Sequence, residues 1–157
     1  MNIQVAVGTL FGAGFLPIAP GTWGSFFTLP LIYGVAYLFP GYGIPVFFVV
    51  CCVLSLISAP AVEKEYGHDP SQFVMDECAG QSLVFILTGF TFSPASDVFI
   101  LGAGFLLFRF FDILKPLGVD KLQNLPGEIG ILSDDLLAGV YSCICLEGLI
   151  YTYNTLL

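Results

Sequence analysis

The chain has 157 residues, enough for about one domain, yet 57% of them are hydrophobic, only 10% are charged and 16 are phenylalanine. A mean hydropathy of +0.92 excludes an ordinary soluble domain of this length and points to an integral membrane protein. The net charge of −8 argues against nucleic acid and anionic surfaces as partners, and it asks what balances the carboxylates: a bound cation or raised proton affinity.

Five apolar segments, 24–39, 44–62, 77–92, 97–114 and 134–153, approach the roughly 20 residues needed to cross a hydrocarbon core. The expected fold is an all-α integral membrane protein, one domain over residues 1–157, with about five transmembrane helices. A short N-terminal helical or re-entrant piece precedes them. The first and third segments are short, so each tilts little, thins the bilayer locally or buries an end in protein. The N-terminal Met-Asn-Ile-Gln lacks a basic region, so no cleavable signal peptide is expected. Cys51, Cys52, Cys78, Cys143 and Cys145 form no CxxC pair and fall in apolar segments, where a free Cys acts as a small apolar residue. Neither a disulfide framework nor a zinc site is expected.

The N-terminal stretch is apolar but interrupted by Gly8, Gly12, Gly14, Pro17, Pro20, Gly21 and Gly24, which an unbroken helix cannot hold at low cost. A fixed loop, Pro20-Gly21-Thr22-Trp23-Gly24-Ser25, then offers backbone N–H groups and the hydroxyls of Thr22 and Ser25 at the start of the first span. That suits an anion at a helix N-terminus; the alternative is a cap with tight packing. Residues 26–59 are two spans joined at 40–43 with no ionisable side chain except Tyr and Cys, and read as scaffold. Residues 63–70 are an aqueous loop or helix end, and His68, the sole histidine, reads as solvated.

Asp76 and Glu77 open the third span. They cap it and complement its macrodipole, or they serve as oxygen ligands for Mg²⁺. Neighbours on a helix point about 100° apart, so both need not ligate one ion. Asp97 reads as a solvated cap. Arg109 and Asp112 share a face near the end of the fourth span, which Lys115 continues if the helix lasts to Pro116. They form an internal ion pair with a snorkelling lysine, or they serve function, since ionisable groups in membrane helices are expensive. Residues 117–132 form the longest expected loop, with Gly118, Pro126, Gly127 and Gly130 as hinges, and could cover a site. Ser133 is expected to cap the last span, with Asp134 and Asp135 in its first turn.

Five spans bring the segments before the first, after the second and after the fourth to one side, and these hold the Pro20 to Ser25 loop, Asp76-Glu77 and the Asp112 to Asp135 stretch. All four Lys and Arg fall near that side, which the positive-inside rule makes cytoplasmic. Such a cluster fits phosphoryl chemistry, in which Mg²⁺ polarises a phosphate oxygen while Arg and Lys bind the others.

Four ordered blocks carry a resemblance: Gly12 to Ser25, then Asp69-Pro70 leading to Val74-Met-Asp-Glu-Cys-Ala-Gly-Gln81, then Phe108-Arg-Phe-Phe-Asp-Ile-Leu-Lys-Pro116, and Gly130-Ile-Leu-Ser-Asp-Asp-Leu-Leu-Ala-Gly139. At these residues the chain resembles the phosphatidylglycerophosphatase A family. The resemblance implies a Mg²⁺-dependent, multi-pass enzyme of the bacterial inner membrane with its site facing the cytoplasm. It would hydrolyse phosphatidylglycerophosphate to phosphatidylglycerol and phosphate. By motif match Asp76, Asp112, Asp134 and Asp135 look catalytic, these four with Glu77 look like metal ligands, and Arg109, Lys115, Thr22 and Ser25 look like phosphate binders. Two departures, Leu117-Gly118-Val119 in place of a second proline and Glu128 in a glycine-rich run, bear on head-group preference.

Rival readings are a phosphatase for another lipid or prenyl phosphate, a small ion carrier and a structural subunit. A carrier should hold its carboxylates near mid-membrane rather than at helix ends. An oligomer is compatible with the sequence but is not called for.

Overall fold

The computed structural model of the chain describes residues 2–68, 70–116, 118–122 and 128–156, without the side chains of Pro94, Asp120 and Lys121. It is all-helical, 78% helix, with no strand among the described residues. The elements are α1 (Ile3–Gly8), a 3-10 turn (Ala13–Phe15), α2 (Pro20–Leu38), α3 (Gly43–Tyr66), α4 (Met75–Val84), α5 (Pro94–Leu114), α6 (Val119–Leu122) and α7 (Glu128–Leu156).

Four of the expected spans each become one helix, α2, α3, α5 and α7. By length and composition, α3 with 24 residues and α7 with 29 are apolar enough to cross a membrane. Large apolar side chains lie exposed on every long helix, among them Phe27, Val49, Phe99 and Ile144, while Ile32, Val62, Phe85 and Leu146 fill the interior. A surface as apolar as the core is what a lipid solvent selects.

The third expected span is not a continuous helix. Here α4 has 10 residues and ends at Val84, and the chain then runs through a turn and irregular backbone, with Phe92 at a left-handed φ of 56°, to Ser93. Backbone polar groups at membrane depth must find partners inside the protein. The N–H groups of Phe85 and Ile86 donate to Ser82 O and Leu83 O, each at 3.2 Å, and Thr88 N donates to Phe85 O at 3.0 Å. Thr91 N donates to Asp97 Oδ1 at 3.1 Å. Asp97 is therefore not the solvated cap expected. It is buried and accepts from the Thr91 backbone and hydroxyl and from the Tyr33 hydroxyl. Thr88 in turn donates to Glu147 of α7 at 2.8 Å.

Nearly all of α4 is buried, and small residues let it sit against α7. A Cβ on Gly80 would come within 2.7 Å of Asp135 O, and one on Gly139 within 2.6 Å of Gly80 O, so the two backbones touch. On its other flanks Gly24 of α2 meets Val74, and Phe108 of α5 meets Gly80. The N-terminal piece is short and helical as expected. It is pinned by Val74 N donating to Gly8 O at 2.9 Å, which ties it to the residue before α4.

Candidate active site

The packing of α4 on α7 decides which carboxylates meet. Asp76 and Glu77 lie in the first turn of α4, where the Glu77 N–H donates to Asp76 Oδ1 at 3.0 Å. Asp135 comes from α7, one turn before Gly139. Ligand oxygens of Asp76, Glu77 and Asp135 all lie within 4.8 Å of one another, with Asp76 only 7% and Asp135 only 4% exposed. The 100° step between neighbours does not prevent Asp76 and Glu77 from converging. Of the five expected metal ligands these three form the group that could hold one cation.

The other two carboxylates have cations of their own. Arg109 Nη1 and Asp112 Oδ2 are 2.7 Å apart along α5. Lys115 ends α5 in the left-handed region, φ 46° and ψ 45°, a C-terminal position where glycine is usual. That twist takes Lys115 off the helix face expected to carry it and brings Nζ to 2.5 Å from Asp134 Oδ2. Asp134 and Asp135 thus have different partners.

A cleft of about 180 Å³ unites these groups, lined by Ala19, Pro20 and Gly21, by Pro70, Ser71 and Phe73, by Asp76 and Glu77, by Arg109, Asp112 and Lys115, and by Ile131, Asp134 and Asp135. Two larger depressions, about 630 Å³ between α1 and α3 and about 370 Å³ beside residues 86–92, hold no comparable set of charges. Burial, with the neighbouring charges of Glu77 and Asp135, pushes the Asp76 carboxyl well above its ordinary 3.8. For Lys115, burial works against the charge, but the hydrogen bond and charge of Asp134, with Asp112 and Asp135 behind it, outweigh it and raise the pKa above 10.5. The ammonium is therefore kept charged.

Several expectations are corrected. Pro20 to Ser25 is the first turns of α2 rather than a loop before it, because Pro20 takes the first helical position, where its missing N–H costs nothing. Ser25 faces Arg109: its hydroxyl donates to Gly21 O at 2.9 Å and accepts from Arg109 Nη1 at 3.4 Å. Thr22 is not among the cleft-lining residues. Ser133 does not cap the last helix, which begins at Glu128; its hydroxyl donates to Ile129 O at 2.5 Å. Glu128 opens α7 without lining the cleft. The long loop after Lys115 is interrupted by α6 and shortened by α7, and its hinges Pro126 and Gly127 lie outside the described residues, as do Asp69 and the Lys121 side chain. His68 is solvated as expected, its side chain 82% exposed and 2.8 Å from Glu63.

Ser71 lines the cleft without having drawn attention in the sequence, and Gly21 and Ile131, named there only within the anion loop and the last motif block, line it as well. Gly21 had a readable signal, a glycine in the first turn of a helix. A Cβ there would overlap Glu77 Oε1, so the position is kept bare for the carboxylate.

An all-helical chain with large apolar side chains exposed on its long helices, and with three clustered carboxylates beside a paired Arg and a paired Lys in one cleft, has the features of a membrane protein with a charged site. The phosphatidylglycerophosphatase A family model matches residues 6–150, and the chain belongs to that family of phosphatases. It is 37% identical to phosphatidylglycerophosphatase A of Haemophilus influenzae, covering 94% of this chain and 87% of that one. It is 34% identical to phosphatidylglycerophosphatase A of Escherichia coli, covering 94% and 80%. A Bacteroides thetaiotaomicron protein named as a candidate phosphatidylinositol-3-phosphatase is 36% identical over 92% of this chain and 91% of its own. No solved structure matches.

Proposed function

We propose that the chain hydrolyses phosphatidylglycerophosphate to phosphatidylglycerol and inorganic phosphate, using Mg²⁺ held by Asp76, Glu77 and Asp135. The observation that carries this reading is the convergence of those three carboxylates beside Arg109 and Lys115 in one cleft of a phosphatidylglycerophosphatase A family chain. The donor set suits a hard cation, being all carboxylate oxygen.

When bound, the ion supplies positive charge against a phosphate oxygen and lowers the pKa of water. The chain's own residues do the rest. Arg109 and Lys115 take the remaining phosphate oxygens, exchanging part of their hold on Asp112 and Asp134 for the substrate. Asp112 and Asp134 orient the two cations until then, and Ser25 steadies the Arg109 guanidinium. Water attacks phosphorus as the bond to the glycerol oxygen breaks. The same reading takes five crossings of a bacterial inner membrane, the third of them discontinuous after α4, with the cleft on the cytoplasmic side in keeping with the Lys and Arg gathered near it.

The Bacteroides relative favours a second reading, release of phosphate from an inositol lipid at the same site. Detergent-purified protein offered each lipid separately decides between them. The first reading expects turnover of phosphatidylglycerophosphate at least about tenfold faster by kcat/KM, a difference of about 1.4 kcal/mol in transition-state binding. The reverse preference would replace it with the second.

A further inference from the structure

Among the described residues, the buried side-chain nitrogen and oxygen atoms without a hydrogen-bond partner in the protein are Glu77 Oε2, Gln81 Nε2, Gln81 Oε1 and Arg109 Nε. They belong to three residues in one region. Glu77 and Gln81 are one turn apart on the same face of α4. Arg109 follows Phe108, whose ring lies against Gly80, and its Nη1 sits beside Gly21 together with Glu77 Oε1. Gln81 is fully buried, behind the cleft rather than in its lining.

Their chemistry is complementary. The Gln81 amide and Arg109 Nε donate, while Glu77 Oε2 and Gln81 Oε1 accept. Leaving all four dry would be costly, and folded proteins satisfy such groups with internal water, which needs two to four polar partners. Most buried hydroxyls among the described residues are satisfied locally: Thr9, Ser25, Thr28, Ser58, Ser82 and Ser142 each donate to a carbonyl one turn back. Gln81 is not satisfied in this way, and it lies directly behind a proposed metal ligand.

We infer that Gln81 is a positioning residue for Glu77, acting through water buried among α2, α4 and α5. The water accepts from Gln81 Nε2 and Arg109 Nε and donates to Glu77 Oε2, so that the carboxylate is held with its other oxygen toward Asp76 and Asp135. Partners of this kind behind metal ligands tune affinity by about 10- to 100-fold. This inference rests on the metal reading above.

The test is the thermal unfolding midpoint of EDTA-stripped, detergent-purified protein titrated with Mg²⁺ and, separately, Mn²⁺. Gln81→Met keeps the volume and removes both polar atoms. It should unfold, metal-free, no lower than the parent, because unpaired groups have left the interior, yet need about 10- to 100-fold more metal for the same stabilisation. Gln81→Asn keeps the amide at shorter reach and should need about threefold more or above, and it decides the matter if the Met variant does not fold. A parent that responds to metal with variants within about twofold of it would overturn the role of Gln81 alone. A parent with no metal response would overturn the metal reading and this inference with it.

Discussion

Asp134 and Asp135 are sequence neighbours with unlike surroundings. The turn of about 100° between adjacent helical residues sends Asp135 to Asp76 and Glu77 and leaves Asp134 with Lys115. The two should therefore respond differently to neutralisation. Asp134→Asn should act through Lys115, raising KM more than it lowers kcat, as steady-state kinetics over a range of lipid concentrations would reveal. Gly21→Ala should lower kcat/KM by about 100-fold with little change in thermal midpoint, since the added methyl displaces the tip of Glu77 rather than any core side chain. The candidate acids and bases were legible in the sequence because charge is rare in this chain. Their pairing was not, because it depends on the left-handed turn at Lys115 and on which face of α7 meets α4.

At the scale of elements, α4 is the part that sequence patterning misread. Hydropathy registers composition but not continuity, and residues 77–92 are apolar enough to pass for a span. Past the end of α4 the Asp97 carboxylate takes the Thr91 N–H that a helix would otherwise satisfy, and Glu147, distant in sequence, accepts from the Thr88 hydroxyl. The other four apolar segments were legible as helices because each is a single continuous helix, two of them, α3 and α7, long and apolar enough to cross a membrane. Gly80→Ala tests how much the backbone contact with α7 matters. Its methyl would press on Asp135 O and on the Phe108 ring, and should cost about 1–3 kcal/mol by overpacking, measured by denaturant unfolding in detergent. Activity should fall along with stability, because the same contact brings Asp135 to Asp76.

For the whole molecule, the proposed metal would compete with protons for one buried acidic cluster. The Asp76 carboxyl binds its proton more tightly in the folded chain than its ordinary 3.8 would allow. Metal-free protein is thus favoured by this group at low pH, and loses that contribution as pH rises from the ordinary carboxylate range through the raised native value. Bound as proposed, Mg²⁺ would take the place of the proton, so the gap between thermal midpoints with and without Mg²⁺ should widen as pH rises. The general architecture, an all-helical membrane protein with a charged cleft, was legible from composition and from the order of the charged segments, whereas the buried contacts of Asp97 and Glu147 away from that cleft were not. The account as a whole turns on Asp135 joining Asp76 and Glu77 around one divalent ion. The most direct measurement is phosphate release from phosphatidylglycerophosphate by the parent and by Asp135→Asn across a Mg²⁺ titration, with EDTA as the zero point. The account predicts that the parent is silent in EDTA and saturates with Mg²⁺, while the variant stays at least about 100-fold slower at every concentration. Undiminished release by the folded variant, or release by the parent in EDTA, would contradict it.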